Sequence, residues 1–146
     1  MKQRVKVHFH LVQDEDGYPP VAVESVWAQL AARSGEYVID NVPFFARDAT
    51  LGDIVHTREV DGQLWFDDVA HHSQNSLVRV VFFDTAAVEV VNQRVVSLGC
   101  STEFMRAHNL LAVCVPITVS LRDLRTYLQA QAASGILDYE EPILRQ

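Results

Sequence analysis

Asn41-Val-Pro-Phe-Phe-Ala46, followed closely by Leu51-Gly-Asp-Ile-Val55, lies in the middle of the 146-residue chain. Two adjacent aromatic residues follow a proline, and a Gly-Asp turn then leads back into an apolar strand pattern. Gly and Asp favour tight turns, whereas adjacent large aromatic side chains favour burial. We therefore predict a connection that packs against a core, with short strands before it and an alternating strand–helix pattern farther along.

The chain before this segment shows the alternation of half-buried strands. In residues 4–12, the apolar side chains Val5, Val7 and Phe9 alternate with basic ones, which is the period of a strand with one buried face. Residues 21–33 fit either an amphipathic helix or a strand, and the turn signal Ser34-Gly35 favours the second reading, a hairpin.

A second hairpin signal follows the middle segment. Asp61-Gly62 separates two short strand patterns, and glycine accepts the positive φ that a type I′ turn requires. Five short antiparallel strands are then expected in residues 1–73. A small antiparallel sheet or barrel is the natural way to bury their apolar faces.

The carboxyl-terminal half begins after the polar segment 71–76. Residues 77–144 follow the order strand, helix, strand, strand, helix, strand, which predicts a ferredoxin-like βαββαβ domain over residues 74–146. Ser120-Leu-Arg-Asp123 has the Ser-x-x-Asp pattern of a helix start. The predicted fold class is thus α+β, with a barrel-like half packed on a ferredoxin-like half.

The first strand of that half is apolar on both faces. Val78 and Val80 lie on one face, whereas Val81 lies with Arg79 on the other. The two helices of a ferredoxin-like domain cover only one face, so the second must be buried by another element. The amino-terminal half is our preferred candidate, ahead of a partner, a ligand or a second copy of the chain.

Composition and charge restrict the classes of function. The formal net charge is −7, which argues against general nucleic-acid binding and suits either solubility or a basic partner. The aromatic residues are not interleaved with basic residues along the chain, which disfavours a platform for single strands. No signal-peptide pattern and no apolar run of about 18 residues is present, so we expect a cytoplasmic protein without a membrane span.

Several short segments of the chain match a known family, and none of them is a signature of a particular chemistry. The segments are Glu24-Ser-Val-Trp27-Ala28, Asn41-Val-Pro43-Phe44-Phe45-Ala46, Gly52-Asp53-Ile-Val55, Gly62-Gln-Leu-Trp-Phe66, Arg79, Leu98-Gly99, Leu111-Ala-Val-Cys-Val-Pro116 and Tyr139-Glu140. Over nearly its whole length the chain resembles the bacterial domain-of-unknown-function family 4265. Similar sequences have an extended Glu-x-x-Trp segment, which favours the hairpin. The resemblance implies a shared fold and attaches no activity to it.

Six of the matching residues are our candidates for contact with a partner or ligand: Glu24, Trp27, Phe44, Phe45, Asp53 and Arg79. Glu24 and Asp53 lie near aromatic residues, where a carboxylic acid can have a raised pKa and donate a proton. The favoured account is structural. Asp53 would accept backbone N–H bonds after Gly52, and Glu24 would pair with a cation such as Arg47 or Arg79.

Two histidines offer a metal-site hypothesis. His8 and His10 lie two residues apart on one strand face, and His56 or the His71-His72 pair could add a third ligand. An exposed polar strand face explains the same spacing and is favoured. Cys100 and Cys114 are expected to be a reduced structural pair, because neither lies at a ligand or redox spacing.

These observations favour a non-catalytic protein that acts by binding another protein, with no catalytic residue, metal or cofactor assigned. A narrower hypothesis is an inhibitor or immunity-type protein whose acidic surface masks a basic partner. The alternatives are a small-ligand sensor built on the ferredoxin-like domain and a metal-dependent hydrolase that uses His8 and His10. A homodimer is compatible with the sequence, and we expect neither nucleic-acid nor membrane binding.

Overall fold

The computed structural model of the protein describes residues 3–146. Within this range the architecture is mixed α+β, with mostly antiparallel strands in two sheets and two α-helices, which confirms the predicted class. The chain divides after Ser73 into two compact units. We call them the barrel unit, up to Ser73, and the sheet unit, from Gln74 onward.

The barrel unit is built from strands that each pair antiparallel with the next, and β1 also pairs in parallel with β5 to close the barrel. Closure leaves no open sheet edge. The apolar side of each strand faces a core that includes Val7, Phe9, Val26 and Val55. The strands are β1 (Arg4–His10), β2 (Val23–Leu30), β3 (Glu36–Ile39), β4 (Ile54–Val60) and β5 (Gln63–His71).

Both predicted hairpins are present in the barrel unit. The ambiguous segment forms β2, which pairs antiparallel with β3 and places Ala28 opposite Ile39. At the second turn, Asp61 and Gly62 have φ values of 51° and 78°. Positive φ at both central residues is the geometry of a type I′ turn, because its twist matches that of the flanking strands.

The sheet unit follows the predicted order of strands and helices. Its strands form an antiparallel sheet in the order β7-β8-β6-β9, and Asp84 caps the short 3-10 turn Thr85–Ala87 that leads into the first helix. The elements are β6 (Ser76–Phe82), α1 (Val88–Ser97), β7 (Ser101–Met105), β8 (Leu110–Val115), α2 (Leu121–Ala133) and β9 (Leu137–Ile143).

The core of this unit lies between the helices and one sheet face. Val91 and Val95 of α1, with Leu124 and Leu128 of α2, pack against strand residues such as Val80. The start of α2 is capped as predicted, since the Ser120 hydroxyl accepts a hydrogen bond from the Asp123 N–H.

The reverse face of the same sheet is buried as well. Leu77 and Arg79 of β6, together with Ala112 and Cys114 of β8, are all shielded from solvent. This finding confirms that β6 is buried on both faces, as its apolar pattern predicted. What covers the reverse face stays a prediction.

Candidate functional site

One outer surface of the barrel unit combines both tryptophans of the chain with basic side chains. The side chains of β1 alternate, so the inward Val7 and Phe9 are buried and the basic residues between them project outward. Trp27 comes from β2 and Trp65 from β5, the two strands that flank β1. We call this surface the tryptophan face and define it as Arg4, Lys6, His8, His10, Trp27, Arg58 and Trp65.

Strand register brings the tryptophan face together. His8 lies opposite Ser25 on one side and opposite Trp65 on the other, and Trp65 in turn lies opposite Arg58. These residues therefore form a row across four strands. With neighbouring strands about 4.8 Å apart, the row is roughly 14 Å long.

Trp27 is held by two cations. The Arg4 guanidinium carbon lies 4.7 Å from the centre of the indole, and the Lys6 ammonium nitrogen lies 4.5 Å from it. Cations at this distance are attracted by the negative face of the ring. The Trp27 backbone N–H donates to Asn41 Oδ1 at 2.7 Å, yet the residue remains 38% exposed. The indole is thus both oriented and accessible.

Trp65 is held by two imidazoles. The His10 ring stacks on it with centroids 4.1 Å apart, and the His8 ring lies 5.2 Å away at a tilt of 47°. His8 Nδ1 is in turn hydrogen-bonded to the Ser25 hydroxyl. Beside Trp65 an open groove of about 330 Å³ is lined by His10, Arg58, Val60, Asp61, Gln63 and Trp65.

The cations of the face differ in their partners. Arg4 Nε lies 3.2 Å from the Asp40 carboxylate. Among the ion pairs of the described residues, none involves Lys6 or Arg58. These two side chains therefore keep their charge available for a partner.

Glu24, a predicted contact residue, instead binds the connection between β3 and β4, residues 40–53, which we call the middle loop. Its carboxylate accepts backbone N–H bonds from Phe44 at 2.6 Å, Phe45 at 2.9 Å and Ala46 at 2.7 Å. Only 8% of Glu24 is exposed. Burial of a charge is tolerated when several donors satisfy it, so this carboxylate has a structural function. The sequence predicted a cation as its partner and did not identify these three N–H donors.

Asp53 has the same kind of function. Its two carboxylate oxygens accept backbone N–H bonds from Thr50 at 3.0 Å and from Ser73 at 2.8 Å, and the residue is fully buried. The predicted account, in which Asp53 binds backbone N–H groups beside the Gly52 turn, is confirmed. The Asp53 carboxylate thereby links the end of the middle loop to the backbone at Ser73.

Of the other predicted contact residues, Trp27 belongs to the tryptophan face. Phe45 is buried in the middle loop and Phe44 beside it is half-buried. Arg79 is 2% exposed in the sheet unit, with Nη1 3.8 Å from a Glu140 oxygen. The sequence did not single out Trp65 or Arg58. Basic and aromatic residues interleave here across neighbouring strands, an arrangement that their order along the chain does not show.

A charged cluster on the barrel unit surrounds His56. Its Nδ1 is hydrogen-bonded to Asp68 and its Nε2 lies 3.1 Å from a Glu36 oxygen. The hydrogen bond with Asp68 is the largest cause that raises the pKa of His56 above its ordinary value of 6.5. Desolvation opposes it, and the hydrogen bond with Glu36 and the charges of both carboxylates add to the rise. Within residues 3–146, no group of three or more His, Cys, Asp or Glu side chains is arranged to hold a metal ion.

The sheet unit contains a larger cavity and a buried thiol. The cavity measures about 650 Å³ and is lined by Thr85, Ala86, Val88, Glu89, Asn92, Phe104, Arg106 and Asn109. Burial raises the pKa of Cys100 to about 11, which leaves the thiol protonated and inert at neutral pH. Neither helix of the described part is long and apolar enough to cross a membrane.

Comparison with known proteins identifies relatives of the fold. The crystal structure of a hypothetical protein from Neisseria gonorrhoeae matches with a TM-score of 0.77 and 24% sequence identity, covering 100% of this chain and 97% of that chain. At this identity the likeness establishes the fold alone. No curated protein matches the sequence. The model of the family described as "Domain of unknown function (DUF4265)" matches residues 24–139. The chain therefore belongs to the DUF4265 family.

Proposed function

We propose that the protein acts by non-catalytic binding of a protein partner and that the tryptophan face is its contact surface. The observation that carries this proposal is that both indoles are oriented by neighbours, with Trp27 left exposed. Trp and Arg are enriched among the residues that dominate binding energy at protein interfaces. A side chain already fixed in the free protein loses less conformational entropy on binding.

The polar members of the face support the same function. Lys6 and Arg58 can form ion pairs with a partner, and the groove beside Trp65, which Arg58 lines, offers a concave contact. The inhibitor or immunity-type hypothesis is a narrower form of this proposal. Such a protein would bind a basic partner through the acidic surface outside the tryptophan face. Neutralising the carboxylates there would then weaken binding of the partner, whereas changes on the tryptophan face would not.

The experiment compares retained partners between matched variants. Tagged wild-type protein, the double variant Trp27→Ala/Trp65→Ala and the control Phe83→Ala are incubated with extract of the native host, after circular dichroism has shown that each is folded. Phe83 is an exposed aromatic residue of the sheet unit, so Phe83→Ala removes exposed aromatic surface outside the tryptophan face and controls for that loss. We expect the control to retain the wild-type partner and the double variant to lose it. Equal retention by all three proteins would contradict the proposal.

For the sheet unit we propose a ferredoxin-like fold. The support is the order β-α-β-β-α-β along the chain combined with the antiparallel sheet order β7-β8-β6-β9. Both helices contribute apolar side chains to the core on one sheet face. This is the arrangement expected of a split βαβ motif.

A small-ligand sensor is a second candidate function, and the 650 Å³ cavity of the sheet unit supports it. Its volume lies in the range of small-molecule sites, and Phe104 provides an apolar wall beside the polar Asn92 and Arg106. A thermal-shift screen of metabolites tests this candidate, because a ligand that binds only the native state raises the melting temperature. A true ligand would lose its effect in Arg106→Ala and keep it in Arg122→Ala. A screen without any such shift would remove this candidate.

A further inference from the structure

We propose that the partner of the tryptophan face is an acidic protein segment, whose carboxylates bind Lys6 and Arg58 and whose apolar side chains pack on the two indoles. This inference rests on the proposed function and specifies the chemistry of the partner. It differs in sign from the basic partner expected from the net charge of the whole chain, because the local surface and the overall charge have opposite signs.

The first argument is the local charge. The tryptophan face contributes three permanent cations, and among residues 3–146 only Arg4 of these has a carboxylate partner, Asp40. Lys6 lies against Trp27, and Arg58 is the cross-strand neighbour of Trp65. Each available cation thus has an indole beside it. A partner that presents a carboxylate next to an apolar side chain is complementary to each cation and its indole.

The second argument is the spacing of the two cations. Lys6 and Arg58 are separated by two strand intervals and by two residues along the strand direction. With about 4.8 Å between strands and about 3.4 Å per residue, their Cα atoms lie roughly 12 Å apart. An extended segment advances about 3.3 Å per residue, so its two acidic residues would be roughly four positions apart.

The third argument favours a protein over a nucleic acid. Residues 1–73 contain twelve Asp and Glu residues against six Lys and Arg. Asp61 lines the groove itself, and Asp40 lies at Arg4. A nucleic acid carries a charge on every phosphate and would meet these carboxylates as it left the face. A protein segment can place its charges only where the two cations are.

The test uses the tryptophans as reporters, because both tryptophans of the chain lie on this face. Binding there must change the indole emission. The probe is a blocked ten-residue peptide titrated into the full chain. It has two glutamates four positions apart, one phenylalanine midway between them for Trp65 and a second phenylalanine two positions beyond one glutamate for Trp27, so that all four side chains share one face of an extended segment. The comparison probes are the same peptide with lysines in place of the glutamates and a twelve-nucleotide oligothymidylate.

We expect a saturable change in emission with the glutamate peptide alone, and weaker binding as salt is raised. Lys6→Glu and Arg58→Glu should each reduce the affinity roughly fivefold or more, since an exposed attraction becomes a repulsion. The control Arg33→Glu makes the same charge change in the same unit outside the face and should leave the affinity unchanged. The single variants Trp27→Phe and Trp65→Phe report which indole the peptide covers.

The outcomes separate this inference from the proposed function. A saturable change in emission with the oligothymidylate or the lysine peptide, and none with the glutamate peptide, would contradict the inference that the partner is acidic. It would still leave the tryptophan face as a binding surface. The inference also fails if capture of the host partner depends on the two tryptophans yet is unaffected by Lys6→Glu and Arg58→Glu. If capture does not depend on the tryptophans at all, the proposed function fails with it.

Discussion

The imidazole of His10 lies stacked on the indole of Trp65, with ring centroids 4.1 Å apart and planes inclined by 13°. These residues belong to β1 and β5, the strands whose parallel pairing closes the barrel. The stack therefore links barrel closure to the orientation of an exposed aromatic side chain. It also gives the outward His10 of β1 a packing contact.

Removal of the stacked ring should release Trp65. In a Trp27→Phe background, which leaves Trp65 as the reporter, we expect His10→Ala to shift the emission to longer wavelength and to increase quenching by acrylamide. The reason is that one face of the indole becomes exposed to water. His8→Ala should have a smaller effect, because its ring is farther away and tilted. Identical spectra for His10→Ala and its parent would show that the stack does not shield Trp65.

Loss of the Glu24 carboxylate should destabilise the barrel unit. Glu24→Ala leaves the N–H groups of Phe44, Phe45 and Ala46 without their acceptor, and an unsatisfied buried group costs about 1–3 kcal/mol. We expect a decrease of at least about 3 kcal/mol in the free energy of unfolding, measured by urea denaturation. Glu24→Gln keeps one acceptor oxygen and should lose less.

The matched control for that experiment is Glu59→Ala. Glu59 is an exposed residue of β4, and removal of its side chain should change stability by less than about 0.5 kcal/mol. Similar losses for Glu24→Ala and Glu59→Ala would refute the structural function of Glu24.

The cluster at His56 predicts a dependence of stability on pH. The carboxylates of Asp68 and Glu36 favour the imidazolium form in the native state and raise the pKa of His56 above 6.5. The resulting stabilisation is fully present below pH 6.5 and is lost as the pH rises through the raised pKa. The melting temperature of wild type should therefore exceed that of His56→Gln most at acidic pH, and the difference should shrink in alkaline buffer.

An NMR titration of the imidazole checks the cause of this shift. Asp68→Asn should move the pKa of His56 down toward 6.5, because the hydrogen bond with Asp68 is the largest contribution. Asp67→Asn removes an adjacent exposed carboxylate and serves as the control. An equal displacement of the pKa in both variants would mean that general charge, and not the hydrogen bond, raises it.

The thiols should be inert in the folded protein. Burial raises the pKa of Cys100 to about 11, so at pH 8 about one thiol in a thousand is ionised. Cys114 is buried as well. We expect negligible reaction with a disulfide reagent under native conditions and reaction of both thiols in denaturant. An introduced exposed thiol, Ser97→Cys, should react natively at once; rapid native labelling of Cys100 would contradict its burial.

The features that the sequence could predict depend on neighbours close in the chain. The alternation in β1, the Asp61-Gly62 turn and the Ser120 cap are all confirmed, because each reflects the geometry of a few consecutive residues. The strand at Val23–Leu30 was harder to predict, since its apolar residues fit two periods. Antiparallel pairing with β3 resolves it.

The candidate site was only partly predictable, because it depends on residues that are far apart in the chain. Trp27 was identified, but Trp65 and Arg58 reach it through pairings between distant segments. The parallel pairing of β1 with β5 involves two residue pairs, Val7 with Leu64 and His8 with Trp65, and has no local signal in the sequence. Likewise, nothing near Glu24 in the chain reveals that its acceptors would meet the N–H groups of a loop about twenty residues later.

Outside Val23–Leu30, the sequence by itself indicated the order of strands, helices and turns and the apolar side of the strands, because these properties follow from short-range backbone geometry and burial. The tertiary structure alone decided that the basic side of β1 lies between two tryptophans, because barrel closure depends on the total packing of five strands. The surface most suited to binding is therefore a product of strand register and not of any single motif.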